Sequence, residues 1–178
     1  MAGSGRRLLS PNVPNCANLS VWAGVDASVK RDSTAIVAAT WDRGAKKVRH
    51  VWHRIFTPTK NNPINFEADV EATILDLKHR FRLREVRYDP WQMQASAQRL
   101  RQQGVNMVEF PQSMPNLTSA SQNLYELIKT QNLVAYSDAD LRLAIQRSIA
   151  VENARGWRIA RRSRATRSTW WWPWPRRP

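Results

Sequence analysis

The chain is short of cysteine, of acidic residues and of long apolar runs, and each shortage closes off a class of function. Cys16 is the only cysteine in 178 residues, so no intrachain disulfide forms and no zinc cluster can be built from thiolates, which fits a reducing cytoplasm. The first eighteen residues hold Arg6 and Arg7 but only Leu8-Leu9 as an apolar stretch, well short of a secretory core or a membrane span. No membrane partner is therefore expected, and residues 1–19, with Pro11, Pro14 and several Asn, read as a flexible leader. A Gly-rich phosphate loop is missing throughout, and His50, His53 and His79 lack the spacing of metal ligands, so we expect structural or surface roles for them. There is no internal repeat.

Acidic residues number 14 against 28 Lys plus Arg, a formal net charge of +14 that attracts polyanions and speeds encounter with them. Nucleic acid is the leading partner. After Glu152 no acidic residue follows, while Arg155, Arg158, Arg161, Arg162, Arg164, Arg167, Arg176 and Arg177 contribute 8 of the 14 net charges. The remaining +6 suits a body that handles a charged polymer around an acidic site.

The hydrophobic content of 42% and the length predict one globular domain with a real core. Alternation predicts a strand over 20–26, a β-branched run a second over 33–41, and Asp42-Arg43-Gly44 a turn into a third over 47–56, together a meander. Asn65 is placed to cap a helix with Glu67 and Asp69 in its first turn, and Phe66, Val70, Ile74, Leu77 and Phe81 form its apolar stripe. A fourth strand is expected over 85–89. A helix over 91–103, with Met93, Ala97 and Leu100 inward and Gly104 as its left-handed cap, leads to a fifth strand over 105–110. Then come a loop over 111–115, a helix marked by Leu117, Leu124, Leu127 and Ile128, a short strand over 133–136, a helix capped by Asp138 through about Val151 with Asp140 also at its start, and a hairpin strand over 156–160. Trp91 is expected to pack a core edge rather than to stack on bases. Alternating strands and helices in the second half predict parallel pairing.

Two aspartates close apolar strands: Asp26 ends Val21-Trp-Ala-Gly-Val-Asp26, and Asp89 ends Glu85-Val-Arg-Tyr-Asp89. Strand-end carboxylates put rigid oxygen ligands at the carboxyl edge of a sheet, where open α/β folds bind their ligands, and oxygen donors suit Mg²⁺ or Mn²⁺. The duller reading gives Asp26 a turn hydrogen bond from Ser28. Asp32, ahead of the second strand, reads as a turn or supporting residue and at most a weak metal ligand.

Gly24-Val-Asp26-Ala-Ser28, Lys30-Arg-Asp32-Ser-Thr-Ala-Ile36, Tyr88-Asp-Pro-Trp-Gln92 and Gln112-Ser-Met114 closely resemble the nuclease domain of the large terminase subunit of tailed bacteriophages, over about residues 20–167. Tyr-Asp-Pro-Trp-Gln is the most specific of these elements. The resemblance implies a ribonuclease H-like α/β fold with a mixed five-stranded sheet flanked by helices, spanning 20–162. It also implies a metal-dependent endonuclease that cuts concatemeric double-stranded DNA during genome packaging in the cytoplasm of a bacterial host. Asp26 bridging two Mg²⁺ or Mn²⁺ ions and Asp89 completing one of them follow from it, since paired ions activate a water and steady the leaving oxygen. Lys30, Arg31, Arg158, Arg161 and Arg162 are the expected DNA contacts. The family's ATPase domain, its small terminase subunit and the portal are the implied partners; without a Walker loop the chain corresponds to the nuclease half alone. A Holliday-junction resolvase or transposase of the same fold, and a noncatalytic DNA-binding remnant, are the alternative readings.

The chain departs from the family at its end. The family has a third acidic residue in a Lys-Ile-Asp element followed by an apolar helix, whereas residues 163–178 include Arg167-Ser-Thr-Trp-Trp-Trp-Pro-Trp-Pro-Arg-Arg-Pro178, four Trp and three Pro within nine residues that suit neither helix nor core. The codons explain it. Thr169 to Pro175 must be encoded ACN TGG TGG TGG CCN TGG CCN, and reading from each third base gives x-Val-Val-Ala-x-Ala, with x Leu, Met or Val. The overlapping codons before it are compatible with Ile-Asp, and the remaining frame gives a Gly-rich string. A frameshift near Arg164 to Arg167 is therefore expected, leaving two carboxylates where three are wanted and cleavage weak or absent. The rival is a genuine Trp/Arg tail that binds DNA or membrane by stacking and charge.

Overall fold

The computed structural model describes residues 18–27, 33–59 and 64–161. The first three strands, β1 (Ser20–Asp26), β2 (Thr34–Asp42) and β3 (Lys47–Phe56), form the antiparallel meander their alternation predicts. In β1 the apolar Val21, Ala23 and Val25 are buried, whereas Trp22, Gly24 and Asp26 face outward.

Asn65 caps the next segment as expected: its side-chain oxygen accepts from the backbone N–H of Glu67 and Ala68 at 3.0 and 3.1 Å, and Asp69 accepts in return from the N–H of Asn65 at 2.9 Å. This reciprocal cap starts a π-helical turn, Phe66–Glu71, that runs into α1 (Ala72–Arg80). Val70, Ile74, Leu77 and Phe81 of the predicted stripe are all buried.

The strand β4 (Arg82–Tyr88) pairs parallel with β1, and α2 (Pro90–Gln102) follows it at once. Pro90 suits the first helical turn, where its missing N–H is no loss. The positive φ of 72° at Gly104 ends the helix region as expected and turns the chain into β5 (Met107–Glu109), parallel to β4. Glu71 is buried in a two-bond ion pair with Arg99 of α2, at 2.6 and 3.1 Å, which ties the π-helical turn to α2. Burial pushes the Glu71 carboxyl up, but the bonds from Arg99 and Ser96 outweigh it and hold the group below its usual range.

Beyond β5 lie α3 (Met114–Lys129), β6 (Leu133–Val134), α4 (Ala139–Gln146), β7 (Ser148–Asn153) and β8 (Gly156–Arg161). Asp138 caps α4, accepting from the N–H of Leu141 at 2.9 Å, and Asp140 sits in its first turn. The ribonuclease H-like α/β class holds, with three corrections. The central sheet has six strands, in order β5-β4-β1-β2-β3-β6, because the short segment after α3 docks parallel on β3. The helix begins at Met114, with Pro115 tolerated in its first turn, not after a loop extending to residue 115. The helix capped by Asp138 stops at Gln146, since Ser148–Asn153 pairs with β8 in a separate two-stranded sheet. That hairpin rests on α3: the N–H of Ile159 donates to Ser121 Oγ at 3.0 Å, and Trp157 meets Tyr125 edge to face at 6.2 Å.

The two faces of the central sheet differ. One carries Val21, Val25, Ile36, Ala38, Val86 and Tyr88 against Val70, Ile74, Leu77, Met93, Ala97 and Leu100 of the helices and is the core. The other presents Trp22, Val37, Trp41 and Ile55, exposed by 46, 43, 47 and 38%. Along β3 this face is capped by an aromatic cluster, where Tyr136 stacks on His50 at 4.6 Å and its hydroxyl meets His53 Nδ1 at 2.5 Å, while His53 Nε2 lies 3.3 Å from Asp138. Burial pushes the His50 imidazole down, aided by His53. His50 and His53 thus sit in a packed cluster, and His79 is exposed on α1.

Candidate metal centre

The site rests on the register of two neighbouring strands. β1 and β4 run parallel, and the last registered pair is Val25 with Tyr88. Asp26 and Asp89 are each one residue beyond that pair, so both sit at the carboxyl rim of adjacent strands, about 4.8 Å apart in the ladder direction. Val25 and Tyr88 point into the core, and the alternation of the pleat turns the two aspartates to the other side.

An irregularity sets this alignment. Ser20 pairs with Arg82 and Val21 with Leu83, but Trp22 pairs with Glu85, so Arg84 is an extra residue in β4. The guanidinium of Arg84 donates to Ser20 Oγ at 3.0 Å, and its carbonyl accepts from Asn106 Nδ2 at 3.1 Å, which keeps the bulge's polar groups partnered.

Asp89 is half-buried and caps α2, accepting from the N–H of Trp91 at 3.1 Å. Asp26 is exposed and accepts from Gln112 Nε2 at 3.2 Å. Gln112 belongs to the quoted Gln-Ser-Met element but had no role assigned from sequence. The signal was there: it follows β5, whose carboxyl end lies at the same edge, and the N–H of Phe110 donating to the Tyr88 carbonyl at 2.8 Å carries the ladder past the strand. Neither carboxylate accepts a second side-chain bond among the described residues. Oxygen-only donors of this kind fit a hard divalent ion.

Among the described residues no cluster of three or more Asp, Glu, His or Cys converges anywhere, so the rim offers a pair and not a triad. Trp91 corrects another expectation: it does not pack a core edge but stands 88% exposed in the first turn of α2, two residues from Asp89. Of the expected DNA contacts, Arg158 lies half-buried in β8 of the two-stranded hairpin, not in the central sheet that carries the carboxylates. Arg161 ends β8, while Lys30, Arg31 and Arg162, with Asp32 and Ser28, lie outside the described residues, as do residues 1–17 of the leader and 162–178. No described helix is long and apolar enough to cross a membrane.

No family model matches the sequence, and no curated protein matches it. Solved structures do match. The HK97 bacteriophage large terminase superposes with a TM-score of 0.69 at 19% identity over 83% of this chain and 36% of that one. The large terminase nuclease of thermophilic phage G20c with bound magnesium gives 0.64 at 18% identity, over 83% of this chain and 74% of that one. The Thermus phage P74-26 large terminase nuclease domain gives 0.62 at 18%, over 82% and 72%. The chain therefore has the fold of the terminase nucleases and spans about a third of the HK97 protein. The G20c nuclease has also been solved with zinc and with cobalt.

Proposed function

We propose that residues 20–162 form a metal-dependent endonuclease domain of terminase type, acting on double-stranded DNA during phage genome packaging in the host cytoplasm. The observation that carries this reading is the parallel β1–β4 register, which sets Asp26 and Asp89 side by side at the carboxyl rim. Mg²⁺ or Mn²⁺, as a pair, would supply polarisation of the phosphoryl oxygen, stabilisation of the leaving oxygen and a bound water more acidic than bulk water. Asp26 and Asp89 would hold that pair.

The rest of the work falls to the chain itself. Gln112 fixes the rotamer of Asp26 through one oxygen, and the backbone N–H of Trp91 fixes Asp89 in the same way. Both carboxylates are thereby oriented before a ligand arrives. Trp91 offers a bare aromatic face beside Asp89 for a displaced base or a sugar, a contact that tolerates any sequence. The excess of Lys and Arg draws in the phosphate backbone and makes binding salt-dependent. The ATPase domain, small subunit and portal are the partners such a domain would serve.

A second reading, a noncatalytic DNA-binding remnant, is favoured by one observation: only two carboxylates meet at the rim among the described residues. Weak cleavage is accordingly expected of this chain. Mn²⁺ titration followed by electron paramagnetic resonance, beside plasmid nicking, separates the readings. Asp26→Asn should weaken Mn²⁺ binding at least about tenfold and remove residual nicking, with salt-dependent DNA binding kept. Unchanged Mn²⁺ affinity in that variant would exclude Asp26 as a ligand, and a parent chain that shifts DNA but binds no Mn²⁺ would establish the remnant.

A further inference from the structure

Arg87 stands on the outer face of the central sheet, one step behind the acidic rim. Val86 and Tyr88 on either side of it are buried, so the pleat turns Arg87 to the face that carries Asp26 and Asp89. Asp89, two residues on, lies about 6.6 Å away along the strand, and Asp26 lies about 8 Å away on the diagonal. In the ladder Arg87 is paired with Val108 on one side and Gly24 on the other. Gly24 leaves bare backbone there, and a side chain built on it would meet nothing within 4 Å. A guanidinium thus borders open room beside the two carboxylates.

Its present partner is one it can leave. Arg87 Nε donates to Glu85 Oε1 at 2.5 Å, two residues back on the same strand, and the Arg87 side chain is 59% exposed. An ion pair so open to water contributes little and exchanges readily. A phosphodiester offers two oxygens to the guanidinium fork, a better match than one carboxylate oxygen. Glu85 and Asp89 flank Arg87 at equal distances along the strand, so the long side chain can turn from the first toward the rim without any change of backbone. We propose that Arg87 and the bare backbone at Gly24 form a seat for a DNA phosphate beside the rim, and that Glu85 holds the guanidinium until DNA arrives. The seat rests on the reading that the rim handles DNA; it requires no metal.

Arg49 supplies an internal reference: it too is half-exposed and paired with a carboxylate, Asp42 at 2.6 Å, but it stands opposite Thr40, toward the end of β2 far from the rim. With EDTA present, the arginine reagent phenylglyoxal is applied with and without a short DNA duplex, and modification is read by peptide mass spectrometry. DNA should protect Arg87 several-fold and leave Arg49 nearly unprotected. Equal protection of the two, or none at Arg87, overturns the proposal. So does equal protection by inorganic phosphate at the same phosphate concentration, which would make Arg87 a site for free anions. Arg87→Ala should weaken duplex binding several-fold, with the slope of log K against log salt smaller by about 1 and Tm unchanged. Gly24→Val keeps every charge but fills the room beside Arg87, so its affinity should fall as well; parent affinity in either variant overturns the seat. Glu85→Gln should tighten binding in the parent and not in the Arg87→Ala chain, whereas an equal gain in both would make Glu85 a distant charge and overturn its hold on Arg87. Mn²⁺-dependent nicking is scored separately: protection of Arg87 without nicking keeps the seat and sinks the nuclease reading, and nicking without protection does the reverse.

Discussion

The two faces of the central sheet are cut from the same strands yet have opposite fates. On the inner face Val21, Ile36 and Val86 are fully buried under α1 and α2; on the outer face Trp22, Val37 and Trp41 stand more than two-fifths exposed. Strand propensity does not distinguish them, since both rows are apolar or β-branched. What differs is the cover: the chain between residues 64 and 102 buries one side, whereas Trp22, Val37, Trp41 and Ile55 of the other stay more than a third exposed beside the Tyr136 cluster. A sheet face is thus a demand that sequence states locally and that another part of the chain must meet.

The largest effect that sharpens this contrast is on the covered side. Ile74→Ala removes a fully buried side chain from the contact between α1 and the sheet and should cost about 3–4 kcal/mol in urea unfolding, by transfer and cavity together. Next comes the ion pair that locks the covering helices to one another. Arg99→Ala leaves the Glu71 carboxylate buried and should cost about 2 kcal/mol, below the usual range for breaking a buried pair because Arg99 is itself partly exposed. Because the Glu71 carboxyl lies lower in the folded state than its ordinary 4.5, its contribution is complete above that pH and is lost as pH falls through the folded value. Unfolding curves from pH 7 to pH 3 should therefore converge for parent and Arg99→Ala at the acid end; parallel curves would show that the pair is not the cause.

The smallest effect should fall on the open side, where Val37→Ser is expected to change stability by no more than about 0.5 kcal/mol. A cost near that of Ile74→Ala would mean that the outer face is covered in solution, and the comparison would break.

Much of this architecture was legible in the sequence because the period of the apolar residues survives into the fold. The meander, the stripe from Phe66 to Phe81 and the inward row Met93, Ala97 and Leu100 all sit where periodicity places them. The failures have a common physical origin. Leu141, Ile145 and Ile149 follow at steps of four, the spacing of a helix, so the change to β7 after Gln146 could be seen only through its partner β8, which is a non-local contact. Leu133–Val134 joins the sheet by two residues, too few for any pattern to count. Trp91 has the position of a core-edge residue, yet in the first turn of α2 it stands exposed. For the candidate site, the strand-end positions of Asp26 and Asp89 were readable one strand at a time, but their alignment was not. Nothing local announces that Arg84 is the extra residue.

That residue reaches further than its place in the chain suggests. Draw Arg84 into the ladder opposite Trp22, so that pairing runs on regularly from Val21–Leu83, and Asp26 falls level with Tyr88, a side chain of the opposite face, while Asp89 is left one rung ahead with no acidic neighbour. A bulge near the amino end of β4 thus acts as a vernier for the side chains at the other end of the strand. Whether an arginine that touches neither carboxylate stays out of the ladder decides whether they stand abreast.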